Sequence, residues 1–372
     1  MAFQVTLPRA MQFLLVCGKI SCTLPPNFES RRYKSIIHEI MWLISMSVTM
    51  SLIIPLFLAM YHFGEDLAVL TKSVSESMTA TDPLLNMIFC KLERARIQVI
   101  LSELMNFLNT ASPFEKAKLQ KHVDQCTPFY LFILILFSLT AVAFSCGPIV
   151  MDRPFPAEAW YPFSTDPLPI SCSIYVLQIM VIAQAAMCIH MDFMIAFLLW
   201  YAVASFEILG EKFRRVENEV DLRNCIVQHQ KLIVFVREIN RVFYVMILKT
   251  PLSMTISIIC SSVQLIHHEP LPVLSQFILL LVVCSIKLYI TAWPADSLIH
   301  ASENIASSVY ESSWIGKSST FLKSLNIVIR RSQKPLIISI TGILPPLSLR
   351  FYASFITKAL SFITTLKSVI SE

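Results

Sequence analysis

Apolar residues in this chain fall in long runs separated by charged stretches, and run length carries the first prediction. A transmembrane helix needs about 20 mostly apolar residues. Six runs qualify: 40–61, 127–150, 169–206, 242–266, 271–293 and 335–366. A seventh segment, 66–90, has the length of a span but carries Lys72, Glu76 and Asp82, and fails a simple hydropathy threshold. The run at 169–206 is longer than about 30 Å of hydrocarbon requires, so its end is expected to project into the cytoplasm. Beyond it the pattern changes. Leu222, Ile226, Ile233, Val236 and Ile239 recur at roughly helical spacing on a charged background, which predicts helices packed beneath the membrane.

Charge decides whether 66–90 counts as a span. Cytoplasmic loops carry the excess of Lys and Arg. With seven spans, one side receives the N-terminus, the 91–126 connection, 207–241 with its continuation to Lys249, and 294–334. That side then holds 24 of the 30 cations, and the opposite loops hold only Arg153. Omitting 66–90 would move the six cations of 91–126 to the outer face. The expected fold is therefore all-α: one membrane domain over 1–372, with seven helices, N-terminus cytoplasmic, C-terminus extracellular, and a cytoplasmic anchor layer from 207–241 and 294–334. This orientation is the reverse of a G-protein-coupled receptor. Arg330, Arg331 and Lys334 mark the cytoplasmic lip of the last span, with Pro335 expected in the first turn of its helix, where a missing N–H costs nothing.

Composition agrees with the runs. Of 372 residues, 55% are hydrophobic and 15% charged, against about 25% charged in soluble domains. No repeat or Gly-rich linker divides the chain. The run MQFLLVCG after Arg9 is short for a secretion signal and is interrupted by Lys19, so it reads as a retained amphipathic segment on a membrane surface.

Catalytic motifs are missing: no P-loop, dinucleotide fingerprint, GxSxG, HExxH or paired Cys-x-x-Cys. His267 and His268 are adjacent and point about 100° apart on a helix, which does not make a metal site. No enzyme activity, cofactor, metal or nucleic acid is expected. His190 and Asp192 lie inside the fourth run, where an ionised Asp costs roughly 2.5–3.5 kcal/mol and must face protein or water; a structural hydrogen bond near the inner end of the bundle is the favoured reading over a permeation path. Cys17, Cys22, Cys90, Cys126 and Cys225 fall at the cytoplasmic side and should be reduced. Cys146 and Cys172 flank the large outer loop and could bridge it or stay unpaired. That loop, MDRPFPAEAWYPFSTDPLP, reads either as an aromatic belt at the headgroups or as a rigid lid over an outer cavity.

The C-terminal third carries a more specific pattern. Trp293, then Ser302-Glu303, Ala306, Tyr310 and Trp314, the basic hinge Arg330-Arg331-Ser332-Gln333-Lys334-Pro335, and later Leu347-Ser348-Leu349 and SFITTLK from Ser361 resemble the insect odorant receptor family. AWYPF, HMD and LRNCIVQHQKLIVFVREI extend the likeness upstream, the last two resembling receptors of ants, bees and wasps. The Thr-Tyr start and Gln-Phe end of the gustatory relatives' last helix are missing.

The resemblance implies a tuning subunit of a ligand-gated, non-selective cation channel. It would bind an odorant and assemble as a heterotetramer with the coreceptor subunit in the plasma membrane of olfactory sensory neurons. Its partners would be that coreceptor, a small volatile or semi-volatile odorant, the bilayer and the permeating cations. The last helix would line the pore, with Thr365, Ser368 and Val369 at the outer gate. Tyr310, Trp314, Ser332, Gln333, Lys334 and Pro335 would form the anchor and hinge. The ligand pocket would be lined by Val69 and Ser73, by Ala143, Phe144 and Gly147, by Tyr175 and Ile179, and by Phe277 and Leu280. Three features depart from the family. Arg350 stands where an acidic residue is common, Pro345-Pro346 predicts a kink or break before it, and Lys358 and Lys367 lie along the same helix. Competing readings are a gustatory-type chemoreceptor channel and a secondary transporter, the latter opposed by the lack of paired broken helices.

Overall fold

The computed structural model describes residues 5–24, 32–150, 153–266, 271–340, 343 and 345–370, and the described residues form thirteen helices. The side chains of Phe277, Lys367 and Val369 lie outside the described set, as do His267 and His268. In order, the chain forms α1 (Leu7–Ile20), α2 (Arg32–His62), α3 (Leu67–Leu92), α4 (Arg94–Thr110), α5 (Pro113–Ser145) and the short α6 (Gly147–Val150). It continues with α7 (Leu168–Met187), α8 (Ile189–Arg214), α9 (Glu219–Val242), α10 (Tyr244–Ile266), α11 (Leu271–Tyr310), α12 (Ser319–Ser332) and α13 (Leu349–Ile370).

Among these, five stretches are long and apolar enough to cross a membrane: Tyr33–His62, Pro113–Ser145, Leu168–Arg214, Tyr244–Gln264 and Ile278–Tyr310. Their outer faces carry large apolar side chains, among them Ile40, Leu43 and Phe57 on α2 and Phe132, Ile135 and Leu139 on α5, all exposed. A continuous apolar exterior of this kind marks a membrane surface. The run predicted as one span over 169–206 is two helices, broken at Cys188 and together reaching Arg214. Residues 189–206 of α8 are buried on every side, so α8 is the central post of the bundle. Its main neighbour is α11. Gly210 allows that approach: a Cβ there would sit 2.9 Å from Ser308 Oγ.

The helix predicted over 66–90 forms as α3, and its charges turn inward. Lys249 of α10 and Lys287 of α11 both reach the Asp82 carboxylate, Lys287 at 2.8 Å. Lys249 also donates to Asn86 Oδ1 at 2.6 Å, and Lys287 lies 3.6 Å from Asp192 of α8. Two lysines and two aspartates thus cancel inside the bundle. His190 takes the structural role: Met187 O can only accept, so Nδ1 donates to it, and Nε2 accepts from Thr23 Oγ1 at 2.8 Å.

Helices also form over the segments 207–241 and 294–334. α11 runs through Pro294 to Tyr310, and α9 buries Leu222, Ile233, Val236 and Ile239. Burial beside Arg331 pushes the His229 imidazole of α9 down to about 4. Trp314 Nε1 donates to Tyr310 O at 3.0 Å, and the turn into α12 uses Gly316 at φ +79°.

The last predicted span is corrected. Pro335 does not open a helix; it follows one. Arg330 and Arg331 occupy the final turn of α12, where cations complement the helix dipole, and Gln333 caps it. From Pro335 to Ser339 the chain carries no helix, and side chains satisfy its backbone. Leu336 N donates to Ser302 Oγ at 3.0 Å, and the Asn240 amide brackets Ser339 through N–H (3.1 Å) and C=O (3.0 Å). Of the kink or break expected at Pro345-Pro346, the structure has the break: α13 starts only at Leu349, whose N–H is held by Asp296 Oδ1 at 3.2 Å. Arg350 is therefore an exposed side chain in the first turn. Cys146 and Cys172 are both free and exposed, so no disulfide pins the loop between them.

Replacing Asp82 by Ala should leave two buried lysines without their shared counter-charge and cost on the order of 3–5 kcal/mol. Glu39→Ala removes an exposed partner of Lys91 at 2.7 Å and should cost about 1 kcal/mol or less. Thermal melting of the purified protein in lipid nanodiscs checks the contrast; equal shifts would contradict it.

Candidate ligand-binding site

The loop 153–167 folds back over the helix ends rather than lying out along them. Phe155 and Ala157 are buried, Ala157 N donates to Gln178 Oε1 at 2.8 Å, and Trp160 N donates to Pro55 O at 3.1 Å. The Trp160 ring stacks on His62 with centroids 4.8 Å apart, and Gln178 Nε2 donates to the Tyr161 hydroxyl at 3.2 Å. Glu158 is held by Arg153 at 2.5 Å and lies 3.8 Å from Lys72 of α3. Pro148, Pro154, Pro156, Pro162, Pro167 and Pro169, in and around this loop, make it stiff, and these anchors make it a lid.

Beneath the lid, α2, α3, α5, α7 and α11 enclose a cavity of about 110 Å³ whose roof is Pro156 and Ala157. Its walls are apolar: Leu52, Phe137, Phe144, Val181, Leu280 and Val283. Small side chains create the space, notably Ala80 on α3 and Ala185 and Ala186 on α7. The volume approaches the ~150 Å³ of an apolar cavity that holds benzene.

Few polar groups face it. Thr79 and Thr140 spend their hydroxyl protons on Ser75 O (3.0 Å) and Leu136 O (2.8 Å), which leaves them as acceptors. Glu76 accepts from Glu158 N at 3.0 Å, so the cavity wall is tied to the lid backbone. Ser75 Oγ is different: it is buried with no hydrogen-bond partner among the described residues. A buried hydroxyl left unpaired costs about 1–3 kcal/mol, a cost that a bound molecule with one polar atom would remove.

Comparison with known proteins adds the family. A model of the 7tm odorant receptor family matches residues 66–359, most of the chain. The chain belongs to the odorant receptor family. Relatives are putative odorant receptor 85d of Drosophila melanogaster, 28% identical over 31% of this chain, and putative odorant receptor 92a of the same fly, 24% identical over 41%. Odorant receptor 10 of Aedes albopictus is 24% identical over 41%. The chain spans only 28%, 37% and 40% of the length of these three relatives. The fold matches solved structures of the olfactory receptor OR5 from Machilis hrabei, alone and in complex with eugenol, at TM-score 0.85 over 98% of both chains and 15% identity. This family is one of receptors, not of enzymes.

In this odorant receptor family member, two of the nine pocket residues expected from sequence, Phe144 and Leu280, line the cavity. The others with described side chains lie elsewhere. Ser73 is buried and donates to Glu158 O at 3.4 Å, Tyr175 donates to Ser145 O at 2.9 Å, and Ala143 O accepts from Gln276 at 2.9 Å. Val69, Gly147 and Ile179 also stand outside the lining. The Arg153–Glu158–Lys72 cluster sits at the lid end of α3, and α3 lines the cavity with Ser75, Thr79 and Ala80 instead. One missed residue left a signal: Gln178 is a polar residue in the buried stripe of α7 that also contains Ile174 and Val181.

Gln178→Leu should free the Ala157 amide and loosen the lid. Losing a hydrogen bond worth about 1 kcal/mol predicts roughly fivefold faster hydrogen exchange there. Mass-spectrometric exchange over 153–163 measures it; unchanged exchange would mean that the lid is held by its other anchors.

Proposed function

We infer that this chain is the odorant-binding subunit of a ligand-gated, non-selective cation channel that works in a heterotetramer with the odorant receptor coreceptor. The observation that carries the reading is the lidded apolar cavity with one unsatisfied hydroxyl, Ser75, in a chain of the odorant receptor family. Such a site suits a small, mostly apolar molecule with a single polar atom. The OR5 structure with eugenol supports that ligand class by analogy of fold.

Conduction would run along α13. Its main contacts among the described helices are to α11 and α10, and Lys358, Leu360, Phe362, Thr365 and Ser368 are exposed in the single chain, as expected of a helix that meets other subunits around a shared pore. Thr365, Ser368 and Val369 would give this subunit a partly polar share of the gate, while the coreceptor supplies the hydrophobic barrier. Exposed apolar groups on the anchor layer, Tyr310, Ile315 and Ile327 among them, would meet neighbouring subunits below the membrane. Cation excess on that side argues for a cytoplasmic N-terminus and an extracellular C-terminus in the plasma membrane of olfactory sensory neurons.

Currents recorded from cells expressing the chain with and without the coreceptor test this. Odorant responses should need both subunits. Ala80→Phe should abolish them by filling the cavity, and Ser75→Ala should weaken ligands with a polar atom about tenfold or less while sparing hydrocarbons. Full responses from the Ala80→Phe pair would contradict the assignment of the site.

A further inference from the structure

A second, larger cavity lies at the opposite end of the bundle from the lid, between α1, α5 and α8. It measures about 340 Å³, more than twice the volume that accommodates a benzene ring. Phe13 of α1, Leu131 and Leu134 of α5, and Phe193 and Phe197 of α8 form apolar walls.

Its polar atoms are already spent. The Tyr130 hydroxyl donates to Ile290 O at 3.2 Å and accepts from Trp200 Nε1 at 3.2 Å, and Thr127 Oγ1 donates to Val123 O at 2.7 Å. An interior without free donors favours hydrocarbon over a ligand that needs hydrogen bonds.

The rim is charged. Arg9 lines the cavity, is exposed, and makes no ion pair among the described residues. The start of α1 is pinned to α5 by Gln120, which donates to Val5 O at 2.8 Å and accepts from Leu7 N at 2.9 Å. This brings Arg9 to the same end of α5 as the exposed Lys121; of the carboxylates there, Asp124 is engaged by Gln120 at 2.7 Å and Glu207 lies 3.2 Å from His122 Nε2. Phe13 is 43% exposed and Phe132 54% exposed, so the cavity borders the apolar exterior.

We propose that the cavity between α1, α5 and α8 holds one acyl chain of an anionic bilayer phospholipid, with Arg9 and Lys121 at its phosphate. α1 is then a clamp on a lipid of the adjacent leaflet, and the cavity is distinct from the lidded one. The assignment needs the protein in a bilayer but not odorant gating, so it stands or falls apart from the proposed function.

Trp200 lines this cavity and is 3% exposed, which makes it a reporter shielded from bulk lipid. Its fluorescence is taken as the difference between the full-length protein and Trp200→Phe. The measurement is made in phosphatidylcholine nanodiscs containing chain-brominated phosphatidylserine or brominated phosphatidylcholine. Brominated phosphatidylserine should quench Trp200 at the lower mole fraction. Ala10→Phe, which fills the cavity, should remove the quenching. Arg9→Gln, a surface change, should reduce the headgroup preference roughly fivefold, as about 1 kcal/mol per surface cation implies. No quenching in the unaltered protein, or undiminished quenching in Ala10→Phe, would overturn the lipid assignment. Equal quenching by both headgroups would overturn its anionic part. Quenching that a small neutral volatile displaces would give the cavity to a soluble apolar ligand and also overturn it.

Discussion

Asp82 of α3, Lys249 of α10, Lys287 of α11 and Asp192 of α8 form a neutral cluster buried where those four helices meet, and the membrane fold depends on it. Each of these charges would cost a few kcal/mol in hydrocarbon if it stood alone. Together they offset one another, and Asn86 adds a further hydrogen bond to Lys249. Because α3 supplies the shared carboxylate, it can sit in the bundle despite a sequence too polar to insert unaided. Placement of α3 in turn sets one wall of the lidded cavity and, through Glu76 and Lys72, the anchoring of the lid.

That cluster divides the bundle into two working regions. On one side lies the lidded cavity, small and apolar, with an unpaired serine hydroxyl. On the other lie the α1 clamp, the lipid-sized cavity and the cation-rich helical layer. The helices that meet at the cluster connect them: α10 and α11 carry the two lysines, and both also contact α13. A molecule that wedges α3 from α11 in the lidded cavity would strain the same contacts that position the proposed pore helix, and that offers a physical route from binding to gating.

Much of the bundle was legible in the sequence because a span is mainly a matter of length and hydrophobicity. A helix is expected over 66–90 from the distribution of Lys and Arg although the segment fails on hydropathy, and a helix forms there. What stayed hidden depends on contacts between residues distant in sequence. Pro335 reads equally well as the start of a helix or the stop after one. The choice falls to Ser302 and Asn240, which satisfy the backbone beyond it. Two of the nine residues expected at the pocket, Phe144 and Leu280, line the lidded cavity; its wall at Ser75, Thr79 and Ala80 was not legible, since nothing local reveals that Glu158 of the loop comes within 3.8 Å of Lys72. The free state of Cys146 and Cys172 was equally beyond spacing, since residues that flank one loop need not meet.

Whether α3 crosses the membrane is the central claim, and it fixes the side on which the chain ends. A glycosylation acceptor on a short spacer fused to the C-terminus of the full chain, expressed in microsomes, reports that side directly. Seven crossings from a cytoplasmic N-terminus predict a modified C-terminal acceptor and an unmodified N-terminal one. An unmodified C-terminal acceptor on inserted protein, with the N-terminal one also unmodified, would mean an even number of crossings and would contradict the account.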